Sequence, residues 1–208
     1  MARITALRAG KSRGKRVNVF LDGRFAFSLE ARVALDLQVG QELSESQVQE
    51  LSRADGYQRC LDAAARYLSY RPRSEAELRQ RLYQRGFDDS SVEAVLGRLK
   101  EQELVDDVSF ARFWKDNRES FSPRSRALTR LELKQKGVAP DIIDQVLDAA
   151  DDDDSAYRAA AGKLRSLPPT DYPSFRRRLG QYLRRRGFSY GVINNTVRRL
   201  WHEEASDT

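Results

Sequence analysis

The sequence predicts a mainly α-helical protein: three tandem three-helix repeats of helix-turn-helix type in a curved array, preceded by a small N-terminal antiparallel sheet. Three observations predict it. Leu82-x-x-x-Gly86-Phe87 returns as Leu133-x-x-x-Gly137-Val138 and as Leu183-x-x-x-Gly187-Phe188, with the glycines 51 and then 50 residues apart. Beyond each glycine the apolar positions also agree, first Val92, Ile143 and Ile193, then Leu96, Leu147 and Val197. Ahead of the repeats, Asp22-Gly23 joins two β-rich runs, a strong hairpin signal because both turn positions need positive φ. Units of this length cannot bury their faces alone, so neighbours are expected to share a core. The expected segments are 1–56 for the sheet and short helices, 57–106 and 107–153 for the first two repeats, and 154–208 for the third.

At the N-terminus, residues 3–9 and 16–21 flank Gly10-Lys11-Ser12-Arg13-Gly14-Lys15, whose glycines and charges suit an exposed loop. With residues 24–29 they predict three antiparallel strands, marginal alone and packed through Val17, Val19, Leu21, Phe25 and Phe27 on the helices that follow. Ala31 to Leu37 reads as a short helix ending near Gly40, and Ser44-x-x-Gln47 is a capping box that opens another. Either Asp55-Gly56 interrupts that second helix, or it runs on through Cys60, Ala64 and Leu68.

In the first repeat, Pro72 ends the preceding helix, because the residue before a proline is pushed out of the helical region. Ser74-x-x-Glu77 then caps a helix closed by Gly86, and Asp88 or Asp89 starts the next. The second repeat has Val108, Phe110, Ala111, Phe113 and Trp114 on its first helix, a second helix starting at Ser122-Pro123, and a third from about Pro140 to Ala150. The third opens on Asp151 to Asp154, breaks at Pro168-Pro169, restarts at Tyr172-Pro173, and ends with a helix from Ser189 to near Trp201.

Charge is unevenly placed along the chain. Residues 1–28 set seven basic side chains against Asp22 alone, residues 155–208 set eleven against four acids, and the middle is net acidic. Basic ends suggest a polyanionic partner. A single cysteine excludes an internal disulfide, and no apolar run reaches the roughly 18 residues of a membrane span, so the expectation is a cytoplasmic monomer, whose stacked repeats need no partner to complete a core.

Catalytic patterns are missing from the sequence. It has no phosphate-binding loop, no dinucleotide glycine pattern and no zinc-ligand spacing, so neither enzyme, cofactor nor metal is expected. His202 reads as a solvated terminal side chain, Cys60 as a buried helical cysteine, and the Asp151 to Asp154 and Asp106-Asp107 runs as helix starts.

The arginines carry more information. On the helix after Pro173, Phe175, Leu179, Tyr182 and Leu183 fix the buried face, leaving Arg176, Arg177, Arg178, Arg184 and Arg185 outward without compensating acids. Like charges at helical spacing repel, which favours a polyanion or an acidic protein surface over plain solvation. Arg85, Lys136 and Arg186 occupy one position, just before each repeat glycine. Two readings stand for them: a favourable charge at the helix C-terminus, or a periodic lining of one side of the array. The last helix offers Asn194, Asn195, Arg198 and Arg199 for bases and phosphates, whereas its counterpart in the second repeat exposes Asp141, Asp144 and Asp148. Sequence-specific reading by all three helix pairs is therefore not expected, while direct binding of single- or double-stranded DNA by the helix-turn-helix-like repeats, the last helix pair above all, and by the basic ends, with Lys11, Arg13, Lys15 and Arg16, stays as an alternative.

Three stretches resemble the RecX family of bacterial recombinase regulators: Arg71-x-Arg73-Ser74-Glu75-x-Glu77-Leu78; Leu104-Val105-Asp106-Asp107 with Phe110-Ala111 and Arg118; and Leu131-Glu132-Leu133-x-x-Lys136-Gly137-Val138. The resemblance covers roughly 57–203, and the β-rich front end looks like the extra segment some members carry. One departure is Ser122-Pro123-Arg124-Ser125, in a turn that often holds glycine in relatives. The resemblance implies a non-enzymatic protein of DNA repair, recombination and the SOS response that binds the RecA recombinase. It would lodge in the groove of the nucleoprotein filament and restrain filament growth, ATP hydrolysis and strand exchange. It implies three tandem three-helix repeats, and no catalytic residue is carried over.

Overall fold

The computed structural model describes residues 1–10, 15–148, 150–164 and 171–206. They divide into two compact units, Met1–Arg73 with Glu77–Val105, and Ser74–Ala76 with Asp106–Thr208. The expected architecture is present: an N-terminal antiparallel sheet followed by three three-helix repeats.

The sheet has four strands rather than three. Strands β1 (Ala2–Ala9), β2 (Arg16–Leu21), β3 (Arg24–Glu30) and β4 (Glu42–Leu43) lie in the order β3-β2-β1-β4, every neighbouring pair antiparallel. Asp22 and Gly23 take φ of 48° and 81°, the left-handed turn that the dipeptide predicts. The fourth strand exists because Leu43 is drawn into the sheet's core with Ile4, Val19 and Leu29, which brings Glu42 opposite Arg3. Between β3 and β4, residues 31–36 form turns and residues 31–37 do not form the expected helix. Ala34 donates to Ala31 and Leu37 to Ala34, and a segment this short between two strands cannot repay helix nucleation.

Helix α1 (Glu45–Tyr70) starts at the predicted Ser44 and Gln47 capping box and runs unbroken for 26 residues, through Asp55-Gly56. Both residues are held from outside the helix. The Asp55 carboxylate, almost fully buried, accepts from the Glu30 amide at 2.6 Å and pairs with Arg16 at 3.2 Å. A Cβ on Gly56 would lie 3.3 Å from the Ser91 hydroxyl, so the glycine allows a close helix approach that offsets its poor propensity. The helix stops at Tyr70, before Arg71-Pro72, as the proline requires.

Helices α2 (Glu75–Gln84) and α3 (Asp89–Glu101) complete the first repeat. Cys60, Ala64, Leu78, Leu82, Val92, Leu96 and Leu99 form its core. Helices α4 (Asp107–Phe121), α5 (Arg126–Gln135) and α6 (Pro140–Leu147) form the second, around Phe110, Leu133, Ile143 and Leu147. Helices α7 (Asp152–Leu164), α8 (Tyr172–Arg185) and α9 (Tyr190–Ser206) form the third, around Ala156, Ala160, Phe175, Leu179, Leu183 and Val197. The matched apolar positions are therefore core positions, with Ile193 half-buried at the edge.

Two boundaries differ from expectation. Helix α5 begins at Arg126, not Ser122, because Ser125 is the cap: its hydroxyl accepts from the Leu128 amide at 3.1 Å. Helix α9 continues past Trp201 to Ser206, carrying His202 on an exposed helical turn. The Pro168-Pro169 break lies outside the described residues. No described helix is long and apolar enough to cross a membrane.

Candidate functional site

The third repeat builds a basic face by ordinary helix logic. Asp171 caps α8 by accepting from the Ser174 amide at 2.9 Å, and Pro173 sits in the first turn, where its missing N–H does no harm. Phe175, Leu179 and Leu183 then point into the core at helical spacing. Arg176, Arg177, Arg178, Arg184 and Arg185 are all left exposed, as the apolar spacing predicts.

Between α8 and α9 lies a groove of about 440 Å³. Arg176, Arg177 and Arg184 line its α8 side, Tyr190 and Asn194 its α9 side, and no carboxylate lines it. The Arg176 guanidinium donates to the Tyr190 hydroxyl at 3.3 Å. A hydrogen bond from Asn194, then the charge of Arg176, hold that hydroxyl's pKa below the ordinary tyrosine value. Arg198 is exposed nearby, while Arg199 is engaged: its guanidinium meets Glu203 at 2.9 Å and lies 4.0 Å from the centre of the Tyr157 ring. The Arg199 hydrogen bond lowers the Glu203 pKa, and Glu203 in turn raises that of Tyr157.

Arg85, Lys136 and Arg186 each stack on an aromatic ring of their own repeat. Arg85 lies 5.7 Å from the Tyr67 ring centre, the Lys136 ammonium 5.2 Å from Trp114, and Arg186 4.5 Å from Tyr182. The shared position is thus a cation–π clamp at a helix C-terminus. Arg186 also donates to the Ser122 hydroxyl at 2.8 Å and to the Pro123 carbonyl at 3.3 Å.

The backbone at this corner joins consecutive repeats. In the second unit, the Ser125 amide donates to the Arg186 carbonyl at 3.0 Å and the Arg126 amide to the Asp152 carboxylate at 2.7 Å. Gly187, at φ +86°, leaves so little room that a Cβ would lie 2.6 Å from the Ser125 hydroxyl and 2.8 Å from Leu128. The same pattern recurs one repeat earlier in that unit: the Ser74 hydroxyl donates to the Lys136 carbonyl, the Glu75 amide to Asp107, and a Cβ on Gly137 would overlap Ala76. Gly86 has the same positive φ but nothing within 4 Å. The acidic helix starts serve these joints and their own caps: Asp151 accepts from Asp153 and Asp154, and Asp106 from Val108 and Ser109.

At the N-terminal end, Arg16 is committed to Asp55 and Ser28, inside the first unit. Lys15 lines a cleft of about 250 Å³ with Arg59, Arg66 and Arg85, where Glu30 and Asp62 supply opposing charge. Lys11 and Arg13 lie outside the described residues. Cys60 is fully buried, and burial, followed by the nearby Asp88 charge, pushes its thiol up to about 11. Among the described residues no group of three His, Cys, Asp or Glu could hold a metal ion. Tyr190 and Gln181 are groove residues that sequence reasoning missed, since neither belongs to the apolar or the basic pattern.

Comparison with known proteins places these features in company. Family models match in four consecutive pieces: the RecX N-terminal domain over residues 2–44 and the first, second and third RecX three-helix domains over 60–99, 106–147 and 151–197. A regulatory protein RecX of Bacillus licheniformis is 31% identical over 98% of this chain and 79% of its own length. One from Clostridium botulinum is 30% identical over the whole of both chains. A crystal structure of regulatory protein RecX is 26% identical, with a TM-score of 0.66 over 94% of this chain and 98% of that one. RecX from Lactobacillus salivarius, at 22% identity and a TM-score of 0.59 over 71% of this chain and 97% of that one, shares the fold.

Proposed function

Because the chain belongs to the RecX family of regulatory proteins, we propose that it binds the RecA recombinase on its nucleoprotein filament and restrains the filament's ATPase and strand exchange. On this reading it acts in DNA repair and recombination as a cytoplasmic monomer, by occupancy and without catalysis. The observation that carries it is the arginine surface of α8: five exposed arginines on a helix whose Phe175, Leu179 and Leu183 are buried. A face of one sign on a rigid element suits an acidic or phosphate-bearing partner and steers its approach.

The test is recombinase ATPase on single-stranded DNA with the purified protein added. The wild type should inhibit. Arg176, Arg177 and Arg178 changed together to Ala should weaken inhibition while circular dichroism keeps the helical signal. Undiminished inhibition by that variant rejects the assignment of the face, and an inert wild type rejects the regulator reading.

A second reading, direct DNA binding, is favoured by the acid-free groove between α8 and α9. Its mark is affinity that falls steeply as salt rises, since neutralising phosphates releases counterions.

A further inference from the structure

The α8–α9 groove combines two chemistries that electrostatic attraction alone does not call for. One wall presents the guanidinium groups of Arg176, Arg177 and Arg184. The other presents Tyr190, a residue that is 72% exposed, so that its ring is open to a ligand. Its hydroxyl accepts from Arg176 across the groove at 3.3 Å, which links the two walls. At the bottom, Gly180 has no side chain and half-buried Ile193 approaches it, so the groove stays open at about 440 Å³, within the range of sites that hold a small ligand.

We infer that this groove is a subsite for single-stranded nucleic acid, in which the arginines of α8 take the phosphodiester and an unpaired base stacks on Tyr190. Each alternative occupant leaves one wall unused. An acidic peptide satisfies the guanidinium groups, but the carboxylates that do so leave the tyrosine face without a stacking partner. A duplex offers phosphates, but its base faces are already stacked on each other. An unpaired nucleotide meets both walls: guanidinium pairs with phosphate in planar, bidentate geometry, and any base has a π face. Recognition by stacking tolerates any sequence, because every base has a π face. The inference deepens the direct-binding reading and rests on it, while the recombinase reading stands or falls separately.

The test uses the full chain with no recombinase present, so its outcome is independent of any effect on ATPase. Fluorescence anisotropy with a labelled oligo-dT would be compared with an abasic oligomer of equal length, the matching duplex, and a poly-glutamate peptide as competitor. Oligo-dT should bind about tenfold more tightly than the abasic strand, the gain expected from one base stacked on an aromatic ring. Tyr190→Ala should erase that difference and Tyr190→Phe should keep it. Tyr190→Leu, which retains apolar bulk without a π face, should also erase it and serves if the alanine variant melts early. Arg177→Ala should weaken both strands alike and reduce the slope of log affinity against log salt by about one. Equal affinity for abasic and base-bearing strands, a preference that survives Tyr190→Leu, stronger competition by poly-glutamate than by oligo-dT, or no strand binding at all would each overturn the subsite.

Discussion

The amide of Ser125 donates to the carbonyl of Arg186 at 3.0 Å, closing a main-chain bridge between the second and third repeats. Repeat proteins are stabilised by such nearest-neighbour interfaces as much as by the repeats themselves. Here the bridge settles at the same corner where a left-handed glycine ends a helix, so one residue answers to two demands.

Gly187→Ala should therefore destabilise more than Gly86→Ala. Both place a Cβ at positive φ, a strain of about 1–2 kcal/mol. Only at Gly187 does that Cβ also meet Ser125 and Leu128, which adds about 1–3 kcal/mol of overpacking. Thermal unfolding of the two variants beside wild type measures the difference, and equal melting temperatures would show that the joint gives way freely. Gly137→Val should likewise lower stability before it affects partner binding, since Ala76 occupies the space its side chain needs.

Glu132 is the keystone of the second repeat. Its carboxylate accepts from the Trp114 indole at 2.8 Å and from Arg118 at 2.8 Å, and pairs with Arg124. Glu132→Ala should cost about 3 kcal/mol, because it leaves two partly buried guanidinium groups and an indole N–H without their acceptor. Urea denaturation followed by helical circular dichroism reads the loss. The double change Glu132→Ala with Arg118→Met should recover part of it; a midpoint unchanged from wild type in the single variant would count against the network.

Asp88 makes stability fall in acid. It caps α3, and hydrogen bonds from the Ser90 hydroxyl, then from the Ser91 amide and hydroxyl, hold its pKa down at about 2. An unfolded aspartate titrates near about 3.9. Between those values the unfolded chain binds the proton first, so the cap's contribution is complete above about pH 4 and disappears as pH falls toward 2. Asp88→Ala should cost about 1 kcal/mol at pH 7. Its denaturation midpoint should converge on wild type near pH 2; a constant gap across that range would refute the assignment.

The sequence displayed what each helix decides for itself. Leu82, Leu133 and Leu183 sit at the same point of the same local pattern, and each is buried. The outward arginines of α8 follow from the apolar residues between them, with no knowledge of the rest of the fold. Hidden were the decisions made by distant residues. Arg16 reads as a free cation until Asp55, 39 residues away, claims it. Ser122-Pro123 reads as a helix start until Arg186, 64 residues from Ser122, pins the turn and moves the cap to Ser125. Tyr190 fits a core or a surface equally well by local pattern, and only the fold of α9 against α8 turns it outward.

The burial of Cys60 makes the folded chain chemically quiet. With its thiol fully enclosed and held protonated to about pH 11, it presents no thiolate to alkylating agents near neutrality. A cysteine introduced at an exposed position, such as Gln181 beside the groove, would then be the sole reactive sulfur. Spectroscopic probes can thus be attached at a chosen point without first removing the native residue from the core.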